Sequence, residues 1–136
     1  MKVVAIDYGS ARTGVAVSDP SGTIARPLEV VERAGSEAGL ARLAELIRAA
    51  EAERVVVGLP LTLRGERGAQ ARETEAFVEA LRSAVDVPVE SFDERFTTRL
   101  ARTPAAGARD RSEPDDARAA AHLLSSYLEW SSAGRE

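Results

Sequence analysis

The chain has 136 residues, of which 44% are hydrophobic and 29% are charged, as is usual for one compact globular domain. It contains no cysteine, which excludes disulfide scaffolds, thiolate metal sites and cysteine nucleophiles. No stretch approaches the roughly 20 apolar residues of a membrane span. We therefore expect no membrane partner. The net charge of −4 argues against coating nucleic acid by bulk charge but permits a local arginine patch.

Three short strands open the chain. Apolar or alternating residues at 3–6, 13–17 and 23–32 are separated by turns rich in Gly, Ser, Asp and Pro. Strands joined by short turns pair antiparallel, so this part is predicted to be a three-stranded meander.

Helices and strands alternate in the rest of the chain. Leucines after Ser36 recur at helical spacing, and Arg54–Leu59 is a continuous apolar run typical of a strand buried on both faces. The later predictions are a helix over 73–84, a strand over 87–92, a short helical stretch over 97–102, a mobile loop over 104–114 and a last helix over 114–130 with a frayed tail. The order βββαβαβα predicts one α/β domain over residues 1–136. Its mixed five-stranded sheet has three antiparallel strands, then two parallel ones, and is flanked by helices.

The first candidate site residue is Asp7. It ends a run of buried apolar residues, where a carboxylate is costly unless its charge is compensated. Gly9 and Gly14 follow, and glycines allow close approach of backbone, phosphate or an ion. We predict that they shape the turn beside Asp7, and a plain hairpin with a capping Asp is the alternative. Val15 stands where a P-loop has its lysine, which excludes that motif.

Two adjacent acids, Asp93 and Glu94, end the fifth predicted strand. Ligands bind at the carboxyl ends of strands in open α/β sheets. Because side chains alternate along a strand, only one of the two acids can face a given site. Thr97 and Thr98 follow as candidates to cap a helix, hold the turn or touch a phosphate.

Asp116 stands near the start of the last predicted helix. Helical spacing places it on a stripe that is otherwise apolar, so it is expected to point toward the sheet. The only histidine, His122, is expected to face elsewhere in a structural role. The other members of the stripe are Ala119, Ala120, Leu123, Leu124 and Tyr127.

Asp7, Glu94 and Asp116 come from distant segments that this sheet order can bring together. Converging carboxylates repel one another unless cations lie among them. All-oxygen ligands suit Mg²⁺ or Mn²⁺, and two such ions can activate water and stabilise the leaving oxygen of a phosphodiester. The pattern predicts a two-metal nuclease in which these acids are both catalytic residues and metal ligands.

Arginines are concentrated in two segments, residues 64–72 and 95–111, and these segments flank the acidic centre. Such patches hold a phosphate backbone without reading bases, and solvated loop charge is the alternative. The predicted nucleic-acid contacts are Arg12, Arg64, Arg67, Arg95, Thr97, Thr98, Arg99, Arg109 and Arg111.

Four ordered blocks of sequence carry a family resemblance. They are Ala5–Gly9 with Gly14–Val17, Val57–Leu61, Asp93–Thr98, and Asp116 at the start of an alanine-rich helix that ends with residues 124–128. Over nearly its whole length the chain resembles the YqgF/RuvX family, Holliday-junction-resolvase-like proteins assigned as pre-16S rRNA nucleases.

The resemblance implies a ribonuclease H-like fold with Asp7, Glu94 and Asp116 as the metal-binding catalytic acids. It implies maturation of the 5′ end of 16S rRNA in the bacterial cytoplasm, and hence a cytoplasmic protein with precursor rRNA and transiently the ribosomal precursor as partners. It also implies a relation to junction resolvases, whose substrate would be single-stranded or branched DNA. The chain departs from the family in the loop before Asp116, where only Arg109 and Arg111 are basic, which weakens the case for branched DNA.

Three alternatives remain open. A glycine hairpin after an Asp also cradles phosphates in nucleotide-binding folds of the actin and sugar-kinase type, although those need two domains. A non-catalytic nucleic-acid-binding module is the second, but it would have no need of three acids. A junction resolvase is the third, and it should be a dimer. No apolar stripe is left over for a dimer interface, so a monomer or weak homodimer is expected.

Overall fold

The computed structural model describes residues 1–61, 64, 68–94 and 115–134, with the side chains of the last helix described from 117 to 131. The predicted helical stretch over 97–102 and the loop over 104–114 lie outside the described residues. The elements are β1 (Val3–Asp7), β2 (Arg12–Ser18), β3 (Ala25–Glu32), α1 (Glu37–Ala49), β4 (Arg54–Leu59), α2 (Ala69–Ala84), β5 (Val89–Asp93) and α3 (Asp115–Gly134).

The five strands form one sheet in the order β3-β2-β1-β4-β5. β2 pairs antiparallel with both β1 and β3, whereas β4 pairs parallel with both β1 and β5. The predicted α/β fold class, with three antiparallel strands followed by two parallel ones, is confirmed.

The strand boundaries follow local chemistry. β4 has the predicted ends, Arg54–Leu59. β3 begins two residues later than predicted, because the Asp19 carboxylate accepts the N–H group of Thr23 at 2.8 Å and holds that residue in the preceding turn. β5 begins at Val89, directly after Pro88, which has no N–H group to donate to a strand ladder.

Two helices are longer than predicted. α2 begins at Ala69, one turn before Glu73, and its N-cap Gly68 provides no side-chain cap. Without a capping side chain the sequence carries no clear start signal there. α3 continues to Gly134, beyond the predicted end at Trp130.

The sheet is covered on both faces. One face packs on α1 and α2, and the other packs on α3. In the described part of the chain, no helix is both long and apolar enough to cross a membrane. The core beneath α1 and α2 includes Ile6, Val15, Leu43, Phe77 and Leu81, and the core beneath α3 includes Val3, Ala5, Val56, Leu124 and Tyr127.

The end of α1 is a strained Schellman motif. The N–H groups of Glu51 and Ala52 donate to the carbonyls of Arg48 and Ile47, at 3.0 and 3.2 Å. Glu51 occupies the left-handed position of the motif, with φ 57°. Glycine is the usual residue at this position because it has no Cβ to clash there.

Replacing Glu51 with glycine is expected to raise the free energy of unfolding by about 1 kcal/mol. The left-handed conformation costs a residue with a Cβ roughly 1–2 kcal/mol, and the greater freedom of glycine in the unfolded chain offsets part of the gain. Denaturant unfolding measures the change. Glu51→Gln keeps the strain and removes only the charge, so an equal gain in that variant would contradict the argument.

Candidate functional site

Asp7 and Glu94 lie at the same edge of the sheet. Asp7 is the last residue of β1, and Glu94 directly follows the last residue of β5. Because β1, β4 and β5 are mutually parallel, their carboxyl ends meet at this edge, with β4 between the other two. Both acids are half-buried. The structure thus brings two of the three predicted acids to one edge.

The two acids also share the face of the sheet that packs on α3. Along β1, Ala5 belongs to the core beneath α3, and Asp7 is the next residue on that side. Along β5, Phe92 belongs to the same core, and Glu94 follows two residues later. Asp93 has the opposite parity, so strand alternation separates it from Glu94.

Gly58 of β4 lies between the two acids. Ile6 pairs with Val57 across β1 and β4, so the next position, Gly58, is beside Asp7. A Cβ built on Gly58 would lie 3.0 Å from both Cγ and Oε2 of Glu94. The Glu94 carboxylate therefore lies over β4, in space that a side chain at position 58 would take.

A buried threonine closes the hairpin that follows Asp7. The Thr13 hydroxyl accepts from the N–H of Gly9 and donates to the carbonyl of Gly9, both at 3.2 Å. A Cβ on Gly9 would lie 2.5 Å from the carbonyl oxygen of Arg12, so the turn requires glycine there. Gly14, predicted to be a turn residue, instead lies within β2 and pairs with Asp7. It belongs to the strand because the turn is already complete at Ala11.

Tyr8 attaches the end of β1 to α2. Its ring stacks on Phe77 with the ring centroids 4.4 Å apart, and its hydroxyl donates to Oε2 of Glu73 at 3.1 Å. Burial, and secondarily Glu73, raise the pKa of Tyr8 above its usual value, so the hydroxyl keeps its proton at neutral pH. The residue next to Asp7 is thereby held from the opposite face of the sheet.

α3 runs antiparallel to β4. Near the carboxyl end of β4, Cδ2 of Leu123 lies 3.1 Å from a Cβ built on Gly58. At the first residue of β4, Nη1 of Arg54 donates to the Tyr127 hydroxyl at 2.9 Å. The N-terminus of α3 is therefore directed toward the edge that carries the two acids.

Asp116 lies in the first turn of α3, two helical turns before Leu123. Its side chain lies outside the described residues, so its convergence with Asp7 and Glu94 stays a prediction. Among the side chains that are described, no group of three His, Cys, Asp or Glu is placed to hold a metal ion.

The buried face of α3 differs from the predicted stripe. Ala119, predicted to face the sheet, is exposed, whereas Ala117 and Ala121 are buried. The helix packs across β1, β2 and β3, and this broad contact covers the flank that the stripe left out. His122 is half-buried.

Few of the predicted nucleic-acid contacts belong to the described residues. Arg12 begins β2 and is exposed, and Arg64 in the loop after β4 is also exposed. The others lie outside the described residues, namely Arg67, Arg95, Thr97, Thr98, Arg99, Arg109 and Arg111.

Two curated bacterial proteins align with nearly the whole chain. The protein from Syntrophomonas wolfei is 36% identical over 140 residues, covering 100% of this chain and 99% of that protein. The protein from Desulforudis audaxviator is 41% identical over 139 residues, covering 99% of each. Both carry the name "Putative pre-16S rRNA nuclease".

The fold is similar to that of a solved resolvase, T. thermophilus RuvC in complex with a Holliday junction substrate. The TM-score is 0.71 at 21% identity, covering 98% of this chain and 96% of that chain. At this identity the likeness concerns the fold, and it confirms the predicted ribonuclease H-like class. A family model described as "RuvX: Holliday junction resolvase" matches residues 1–130. The chain therefore belongs to the RuvX family.

Proposed function

We propose that this chain is a metal-dependent nuclease that processes the 5′ end of pre-16S ribosomal RNA. The prediction of a nuclease, a hydrolase of phosphodiester bonds, is confirmed at the level of the family, because the family and its curated relatives are named for that activity. The observation that carries the mechanism is the Glu94 carboxylate lying over Gly58, beside Asp7. The RNA substrate follows the names of the relatives.

Asp7, Glu94 and Asp116 would hold Mg²⁺ or Mn²⁺, two ions in the full site. The donor chemistry fits, because all three residues offer only carboxylate oxygens, which these hard cations prefer. The ions would supply positive charge to the scissile phosphate and lower the pKa of the attacking water.

The surrounding residues keep the two described acids in place. Thr13 closes the hairpin after Asp7, and Tyr8 anchors the same strand end to α2. Gly58 leaves the space in which the Glu94 carboxylate lies. Exposed Arg12 and Arg64 would hold the phosphate backbone on either side. Positioning of this kind is needed because a metal site tolerates displacements of only about 0.5 Å.

Junction resolution is the second candidate, favoured by the description of the family model. It would act on branched DNA and would require two active sites around one junction, hence a dimer. For the RNA role we propose a monomer or weak homodimer in the cytoplasm, associating transiently with the ribosomal precursor.

Adjacent acids provide a matched test of the site. Glu94→Gln is expected to lower cleavage by about 100-fold or more, whereas Asp93→Asn, one residue away on the other face, should lower it less than about threefold. Asp7→Asn and Asp116→Asn should resemble Glu94→Gln. Calorimetric titration with Mn²⁺ gives an independent readout, since the same three variants should bind the metal more weakly. An equal loss of cleavage in Asp93→Asn would contradict the assignment of faces.

The substrate is tested with four labelled nucleic acids. They are an RNA with a 5′ precursor extension, a single-stranded RNA, a single-stranded DNA and a four-way DNA junction, each with Mg²⁺, Mn²⁺ or EDTA. Metal-dependent cleavage at the 5′ extension supports the proposal. Paired symmetric nicks in the junction alone would favour the resolvase. Binding without any cleavage would contradict an enzyme and favour a non-catalytic module.

A further inference from the structure

Arg33 joins β3 to α1 in a strained backbone conformation. Its φ is 49°, and within the described residues Glu51 is the only other non-glycine residue with a positive φ. The left-handed region disfavours any residue with a Cβ, and strain of this kind concentrates at functional sites. Unlike Glu51, which ends α1 away from the two acids, Arg33 is at their edge of the sheet.

Arg33 is next to the hairpin that follows Asp7. Its N–H group donates to the carbonyl of Ala11 at 3.0 Å, in the turn between β1 and β2. Asp7 pairs with Gly14, three residues after Ala11 on the adjacent strand. Usual strand spacing and rise put the two Cα atoms, of Asp7 and Arg33, roughly 14 Å apart. A long side chain at this position can reach a phosphate a few nucleotides from the two acids.

The turn that carries Arg33 is fixed against α1. The Arg33 carbonyl accepts hydrogen bonds from the N–H and the hydroxyl of Ser36, at 2.9 and 2.7 Å. Ala34 is fully buried, and Gly39 packs so closely that a Cβ there would lie 2.2 Å from the Arg33 carbonyl oxygen. The cation therefore projects from a rigid frame, which reduces the entropy lost when it binds a ligand.

The guanidinium of Arg33 is available for a ligand. The residue is exposed, and no ion pair or hydrogen bond of its side chain occurs among the described residues. By contrast, Arg42 and Arg82 are paired with carboxylates on their own helices. The nearest acid along the chain, Glu32, is opposite Arg12 in the register of β2 and β3.

We infer that Arg33 binds a phosphate of the substrate strand on the β2–β3 side of Asp7. The inference rests on the proposed function, and it extends the contact surface away from the β5 side, where Glu94 lies. Guanidinium groups bind phosphate oxygens in bidentate pairs, which suits an exposed arginine on a fixed turn. A nucleic-acid strand that is bound on both sides of the two acids would pass across them rather than end there.

The test compares two exposed arginines at opposite ends of the β3 segment. Arg33→Gln and Arg26→Gln are each combined with Asp7→Asn, a variant in which no cleavage is expected. Fluorescence anisotropy then measures binding to labelled single-stranded RNA and to a labelled four-way DNA junction at several salt concentrations. Arg33→Gln should weaken RNA binding by about 3- to 10-fold and reduce the slope of log K against log salt by about 0.7. Arg26→Gln, at the far end of β3, should change neither. Arg33→Gly should weaken binding equally and raise the Tm by about 2–4 °C, because it also releases the strain.

The outcomes separate this inference from the proposed function. Weaker binding of either nucleic acid by Arg33→Gln supports the phosphate contact. The nucleic acid whose binding weakens more, RNA or DNA, is the one whose phosphate Arg33 binds. Unchanged binding by Arg33→Gln, with the wild-type chain cleaving RNA, would overturn the role of Arg33 alone. The expected loss of binding with no cleavage by the wild-type chain would overturn the nuclease and leave the contact in place. An equal loss in Arg26→Gln would overturn the inference by showing a general effect of charge.

Discussion

Replacing Gly58 with alanine is expected to lower cleavage by about 10- to 100-fold while the chain stays folded. The new Cβ would lie 3.0 Å from Cγ and Oε2 of Glu94 and 3.1 Å from Cδ2 of Leu123. These atoms belong to side chains, which can give way, so the free energy of unfolding should fall by only about 1 kcal/mol. The carboxylate, however, must shift by a few tenths of an ångström, and a metal site tolerates displacements of only about 0.5 Å. Activity therefore falls far more than stability.

A double variant shows whether the loss acts through Glu94. Single-turnover cleavage and the Tm are measured for Gly58→Ala, Glu94→Gln and the two combined. Because both changes affect one carboxylate, the double variant should be no slower than Glu94→Gln alone. Gly68→Ala is the matched control, since a Cβ there meets nothing within 4 Å. Full activity in Gly58→Ala, or a further loss in the double variant, would contradict the mechanism.

The sheet could be predicted because its rules are local. The continuous apolar run of β4 indicates a strand buried on both faces, and the two-residue period already separates Asp93 from Glu94. The helix of Asp116 was harder, because four of its positions from 117 to 121 are alanine. With apolar residues on several sides, its sequence does not determine which flank of the helix is buried, and the predicted stripe therefore includes the exposed Ala119.

The residues that support the two acids could not be predicted from local patterns. Tyr8 bonds Glu73, 65 positions away, and nothing near Tyr8 indicates that partner. Gly58 stands in an apolar run, where its missing side chain matters only once Glu94 lies over it. Arg33 follows a glutamate, so the local charge is balanced and its left-handed backbone leaves no signal in composition. Each role depends on contacts between distant segments.

Replacing Gly39 with alanine is expected to destabilise the chain by about 3 kcal/mol. A Cβ at this position would lie 2.2 Å from the Arg33 carbonyl oxygen and 2.6 Å from Cα of Ala34. Both are backbone atoms of a turn that Ser36 also holds, so no side-chain rotation relieves the clash. Helix propensity alone predicts the opposite sign, because alanine in a helix is favoured over glycine by about 1 kcal/mol. The measurement therefore decides between local propensity and close packing.

Denaturant unfolding of Gly39→Ala beside Gly68→Ala measures the effect. Gly68→Ala makes the same chemical change in open space and should cost no more than about 1 kcal/mol as an N-cap substitution. Gly39→Ala should also weaken RNA binding in conditions where it is still folded, since the turn that must shift is the one that carries Arg33. A stabilised Gly39→Ala would show that α1 and this turn are not in close contact. That result would contradict the rigidity of the turn that carries Arg33, on which the inferred phosphate contact depends.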